Sequence, residues 1–171
     1  MIRVNVKEQV LNLIILLMIQ LPLIHRITLF DRAFGFFYVG FLLLLPTTLS
    51  RSRLMIVAFV SGLMVDVFSN TPGIHAGASV FIMFIRNFWL SIVEDDAKEL
   101  VNVNMGSIGK MKFIYFLFPL VFIHHFLIFI LENGGMHHFG MLISKVFFSS
   151  LFSSTMIFVI NLLVAPNKRR V

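Results

Sequence analysis

Two long apolar runs, one closing at about Ser69 and the next opening at Ile74, are joined by nothing longer than Asn70-Thr71-Pro72-Gly73. That link is dense in turn formers, and Pro72 is well placed at a helix start, so the runs fold back on each other as a helical hairpin. A carboxylate, Asp66, sits about a turn before the first run ends. An ionisable group at such depth in an apolar helix costs roughly 2.5–3.5 kcal/mol on insertion scales, so it tends to mark a site. The stretch Gly62 to Gly77 therefore reads as a tight hairpin on the non-cytoplasmic side with a polar residue facing inward. The rest of the chain reads as a frame around it.

Composition fixes the solvent of that frame. The 171 residues are 58% hydrophobic and 13% charged, with a mean hydropathy of +0.95. A soluble domain is nearer to about 45–50% apolar and about 25% charged. The chain reads as an integral membrane protein. With no cysteine, it has no disulfide, thiolate metal site or cysteine nucleophile. The net charge of +6 and the pI near 10.2 fit the cytoplasmic excess of Lys and Arg that orients membrane proteins better than they fit nucleic-acid binding. No small-residue cleavage site follows the first apolar run, so that run is expected to stay as a span.

A spanning helix needs about 20 mostly apolar residues. On that measure the chain is all-α, one integral membrane domain over residues 1–171, with about six helices. Spans are expected at about 9–24, 33–49, 54–69, 74–93, 113–131 and 139–165. Pro22 weakens the end of the first, Ser50-Arg51-Ser52-Arg53 closes the second, and Pro166 stops the last before Lys168-Arg169-Arg170. With the N-terminus inside, Arg3, Lys7, Arg51, Arg53, Lys98, Lys110, Lys112 and the basic tail are cytoplasmic, and only Arg26 and Arg32 are outside. That asymmetry places both termini in the cytoplasm and turns the Asp66 hairpin outward.

Gly62, Asp66 and Ser69 share one helix face. A glycine below a carboxylate admits a close neighbouring helix that can supply the carboxylate with a donor. The face reads either as an interhelical lock or as a ligand site open to the outside. Gly73 and Gly77 repeat the spacing of small residues at the start of the next span and favour close packing. Lys145 lies six residues into the last span, about 9 Å deep, comparable to Asp66, so an Asp66–Lys145 pair is one expectation and snorkelling of Lys145 to headgroups the other. Arg86, about seven residues from the inner end of its span, is expected to snorkel to the cytoplasmic face, or else to hold a partner or a lipid phosphate. His124 and His125 are adjacent and so point to different helix faces. No HExxH, P-loop, GxSxG or carboxylate–nucleophile arrangement is present, which leaves no case for catalysis, a metal or a cofactor. Ser149, Ser150, Ser153 and Ser154 read as a small-residue stripe for helix contact, with a polar substrate path as the alternative. The charged segment from Glu94 to Lys112 reads as a solvated connection or as a contact for cytosolic components.

Gly62-Leu63-Met64-Val65-Asp66, followed by Pro72-Gly73-Ile74-His75-Ala76, resembles the signature of the bacterial rod shape-determining MreD family. That family shows a glycine-leucine-apolar-apolar-aspartate run, a short turn, and Gly-apolar-His-Ala at the start of the next helix. Length, layout of spans and the short basic second loop agree. The resemblance implies a non-enzymatic membrane scaffold of the cell-elongation (rod) complex in the inner membrane, supporting cell shape and peptidoglycan synthesis. Its partners would be the bitopic protein MreC, with MreB, RodA and the penicillin-binding-protein synthases, and membrane lipids around it. MreD is also similar to the substrate-binding subunits of energy-coupling-factor vitamin transporters, which share a six-helix architecture. That supplies the rival reading. Those subunits usually carry an alanine-xxx-alanine patch on the first helix, whereas Val10 to Gln20 here contain no small residue. A lipid or small-solute carrier is a third class that an all-helical bundle with inward polar groups leaves open.

Overall fold

The computed structural model describes residues 28–29, 33–136 and 138–164. In chain order these form β1 (Thr28–Leu29), β2 (Ala33–Phe34), α1 (Tyr38–Leu43), α2 (Arg51–Ser69), α3 (Ile74–Val93), α4 (Met105–Ile108), α5 (Lys110–Glu132) and α6 (Phe139–Val164). The two strands pair antiparallel, Thr28 opposite Phe34 and Leu29 opposite Ala33. Apart from that short pairing the described chain is helical. Four helices, α2, α3, α5 and α6, are long and apolar enough to cross a membrane. They occupy the last four of the expected spans, α2 starting at Arg51 rather than at Leu54 and α5 at Lys110 rather than at Phe113. The expected first span, 9–24, lies outside the described residues. Phe59, Phe81, Phe84 and Phe88 stand exposed on the outer faces of α2 and α3, as lipid-facing side chains do.

The second expected span, 33–49, is not a continuous helix. It is β2, an extended stretch, the six-residue α1 and a turn. Gly35 and Gly40 weaken helix over this run, and Pro46 disfavours helical backbone at Leu45. Breaking a helix at membrane depth frees backbone groups, and such backbone is tolerated only when buried in protein or lining a cavity. Here α6 and α3 supply the missing partners. The Phe34 and Phe36 amides donate to the Ser149 and Ser153 hydroxyls at 2.9 and 3.2 Å. Beyond the end of α1, the Arg86 guanidinium donates to the Leu43 carbonyl at 2.8 Å and also to that of Leu45. Two expectations change. Ser149 and Ser153 hold an unwound backbone rather than merely admitting a close helix, and Arg86 is fully buried rather than snorkelling.

The α2–α3 hairpin is the tightest contact in the bundle. A Cβ on Gly62 would stand 2.5 Å from the Ala76 Cα and 2.5 Å from the His75 carbonyl oxygen, both backbone atoms of α3. Glycine is the side chain that this approach requires. Gly77, expected to share in close packing, faces open space, with nothing within 4 Å of a Cβ built there. Gly73 serves the turn instead, with φ +84° in the left-handed region.

Pro119 lies inside α5 and removes the amide that would bond the Tyr115 carbonyl. The Trp89 indole N–H, from α3, donates to that carbonyl at 3.0 Å. The segment after α3 is also more ordered than a solvated connection: Ala97, Val103, Met105 and Ile108 are buried, and the Met105 amide donates to the Asn161 side-chain oxygen of α6 at 3.0 Å.

Two outcomes are expected from unfolding in detergent. Gly62→Ala should destabilise by about 1–3 kcal/mol through forced separation of α2 and α3, while Gly77→Ala is neutral or slightly favourable. Trp89→Phe should cost on the order of 0.6 kcal/mol, the average for an interhelical hydrogen bond, and Pro119→Ala in the same chain should restore part of it by returning the amide donor.

Candidate functional site

The site is assembled at the joint between α2 and α3. Asp66 is one turn from the end of α2 and 2% exposed. Its backbone carbonyl accepts from the amides of Asn70 and Thr71, the latter at 3.1 Å, closing α2 through Asn70 in the left-handed conformation (φ 55°, ψ 41°). Its carboxylate opens α3. Oδ1 accepts from the His75 amide at 2.9 Å, and Oδ2 from the Ala76 amide at 2.9 Å. These are two of the amides that a helix start leaves without partners. The residue at the usual capping position, Gly73, has no side chain to do this. The Ile74 amide donates to the Thr71 carbonyl at 3.3 Å. A negative group at this end is also favoured by the helix dipole.

Two side chains complete the cluster. The Thr71 hydroxyl donates to Asp66 Oδ1 at 2.9 Å, and His75 Nδ1 lies 3.0 Å from the same oxygen. A carboxylate only accepts, so Nδ1 carries the proton. Gly62, Asp66, Gly73 and His75 are thus one unit: the glycine admits α3, the carboxylate caps it, the imidazole braces the carboxylate, and Gly73 makes the turn. Pro72 immediately precedes the capping position. The Ser69 hydroxyl, on the Asp66 face, makes no hydrogen bond among the described residues. The lock reading of this face fits the geometry, since both carboxylate oxygens are filled from within the chain.

Lys145 is not part of the unit. Its ammonium stands 3.8 Å from a Glu132 oxygen and over the rings of Phe34 and Phe129, at 4.5 and 4.3 Å from their centroids. The Asp66–Lys145 pair is therefore absent. The carboxylate finds enough donors within ten residues of itself, and a long amphipathic side chain lies over two aromatic faces with its head toward the surface.

Behind the joint the structure brings together residues that sequence reasoning did not connect. The Phe36 ring, in the unwound stretch, sits among three imidazoles, with centroids 5.1 Å from His75, 6.5 Å from His124 and 5.3 Å from His125. His124 Nε2 is 2.9 Å from the Tyr38 hydroxyl, which is 3.2 Å from the Ser79 hydroxyl. His125 Nδ1 donates to the Val121 carbonyl at 2.8 Å, leaving Nε2 to accept from the Ser153 hydroxyl at 3.1 Å. All these side chains are buried. Adjacent histidines do diverge, one reaching Tyr38 in the broken segment and the other Ser153 of α6, the hydroxyl that accepts from the Phe36 amide. The available signal was their depth in an apolar helix, the same argument that singled out Asp66. Among the described residues no group of three or more His, Cys, Asp or Glu side chains is placed to hold a metal ion.

Comparison of the chain with protein-family models, with curated proteins and with solved structures finds no match in any of the three.

Replacing the carboxylate should be costly. Asp66→Ala strips acceptors from two amides, a hydroxyl and an imidazole, and is expected to lose at least about 3 kcal/mol. Asp66→Asn should lose less, since one acceptor oxygen remains. Lys145→Met should cost under about 1 kcal/mol. A double-mutant cycle between Asp66 and Lys145, read by unfolding in detergent, should show no coupling.

Proposed function

We propose that this protein is a non-enzymatic membrane scaffold subunit of the MreD type, working in the cell-elongation complex of a bacterial inner membrane. The observation that carries the reading is the use made of the signature residues. Gly62, Asp66, Gly73 and His75, which carry the resemblance, are assembled into one joint in which the motif's spacing has a physical reason. The partner is a bitopic protein of the MreC type, held by helix contact, with MreB, RodA and the penicillin-binding-protein synthases attached through it. Both termini are cytoplasmic in this reading, and a first span before residue 28 together with the broken second crossing brings the count to six.

A second reading follows from that broken crossing. Interrupted segments with buried polar groups at membrane depth are a mark of transporter binding sites, and the stretch from Phe34 to Tyr38 among His75, His124 and His125 has that character. It supports a solute-binding subunit of the energy-coupling-factor type. Against it, the hydrogen-bonding positions of Asp66, Tyr38 and His125 are taken by the chain itself.

Affinity capture of the tagged protein from its native membrane, read by mass spectrometry, separates the two. The scaffold reading expects a bitopic coiled-coil protein together with wall synthases, and loss of that recovery on Asp66→Asn. Recovery of a coupling-type membrane subunit with paired ATPases overturns it in favour of the transporter.

A further inference from the structure

The joint lies at one end of the bundle, and a second feature lies toward the other. Arg51 and Arg53 at the start of α2, Lys98 after α3, and Lys110 and Lys112 at the start of α5 gather at this opposite end. Between α5 and α6 an open groove of about 200 Å³ is lined by Ile114, Leu117, Phe118, Leu151, Ser154, Thr155 and Phe158. The helices run antiparallel here, and the Phe113 and Phe158 rings lie 6.4 Å apart. The groove therefore starts within about a turn of the first residues of α5.

Three observations at this groove point to one ligand chemistry. The first is charge. Lys112 is held by Glu94 at 3.1 Å, but Lys110 is exposed and has no ion pair among the described residues, including with Asp95, Asp96 and Glu99 on the preceding loop. Lys110 is four residues before Ile114 and so stands on the same face of α5, one turn before the groove's first lining residue on that helix. The second is the helix start. The capping position of α5 is Gly109 (φ +82°), and no side chain caps the helix, so its first amides and dipole are open to an anion. The third is inside the groove. Ser154 is 8% exposed, lines the groove, and its hydroxyl has no hydrogen-bond partner among the described residues. An occupant that brings an acceptor into an otherwise apolar slot relieves it.

We propose that this groove binds an anionic phospholipid of the leaflet at the basic end of the bundle, one acyl chain lying between α5 and α6 and the phosphate at the first turn of α5 beside Lys110. The hydrocarbon fills the wall formed by Ile114, Leu117, Phe118, Leu151 and Phe158. The ester carbonyls below the phosphate are the acceptors that enter the groove with it. Lys110 and the open helix start make the site prefer a net negative headgroup to a zwitterionic one. The site is independent of the joint and of the scaffold reading.

The test uses the full chain in phosphatidylcholine nanodiscs containing a minor fraction of phosphatidylglycerol, with a photoactivatable group on the acyl chain of one lipid or the other. The phosphatidylglycerol label should crosslink to peptides covering residues 114–118 and 151–158 in preference to the phosphatidylcholine label. Lys110→Gln should lower that preference about fivefold, the effect of one basic residue near an anionic surface, while Lys98→Gln leaves it unchanged. Leu151→Trp, at a half-exposed position, should fill the groove and suppress crosslinking there without changing labelling of the outer faces of α2 and α3. Equal yields for the two lipids, equal effects of Lys110→Gln and Lys98→Gln, or crosslinking indifferent to Leu151→Trp would each overturn the proposal and leave ordinary annular lipid or a partner helix in the groove.

Discussion

The bundle is held to its register by one carboxylate that belongs to two helices. Asp66 ends α2 with its carbonyl and begins α3 with its side chain. A capping group normally sits at the residue immediately before the helix it caps. Here that residue is a left-handed glycine, which permits a four-residue turn but offers no acceptor. The capping function has moved back along the chain to the last turn of the preceding helix. That displacement fixes the distance and rotation between α2 and α3 together, because both oxygens are committed to adjacent amides. Gly62 is the steric counterpart: only without a side chain there can α3 come near enough for the carboxylate to reach.

A related rule, that backbone groups buried away from water must find partners inside the protein, explains the least regular part of the structure. The stretch from Ala33 to Leu45 gives up a continuous helix, and the groups it frees are taken by side chains from two other helices. Serine hydroxyls of α6 serve the extended half. A guanidinium of α3 serves the carbonyls at the far end, where a cation also complements the dipole of α1. An arginine without a carboxylate would be expensive in hydrocarbon, but here its donors go to two carbonyls and to the Asn87 side-chain oxygen at 2.8 Å.

The four long helices and the joint were legible in the sequence because their causes are local. Apolar length defines a span, and the partners of Asp66 lie within ten residues of it, so spacing placed the glycine and the carboxylate on one face, while His75 entered only through the resemblance of the motif. The broken segment from Ala33 to Leu45 was not legible in the same way. Its hydropathy is that of a span, and hydropathy does not record whether the backbone bonds to itself. What decides the matter is 115 or more residues away in sequence, at Ser149 and Ser153. Arg86 was misread for a related reason: snorkelling is the default for a lone arginine near a helix end, and the carbonyls that hold it inside exist only because α1 stops at Leu43. Lys145 and Asp66 matched in depth, but depth is one coordinate of three.

The arrangement of polar groups bears on what kind of work the molecule does. A solute site needs hydrogen-bonding capacity left over for the solute, whereas a scaffold needs it consumed, so that the surface offered to a partner does not shift. Around Phe36 most of the capacity is consumed: Asp66 by four donors, His125 at both nitrogens, Tyr38 by His124 and Ser79. His124 Nδ1 is an exception, buried and without a hydrogen bond among the described residues. An open ring nitrogen against a ring of phenylalanine is a poor basis for holding a polar solute, since each good discrimination rests on several placed groups. A network so nearly closed on itself rigidifies the joint between three helices and the unwound segment. What it leaves variable is the outer surface, where exposed aromatic and aliphatic side chains of α2, α3 and α6 meet whatever helix or lipid lies alongside.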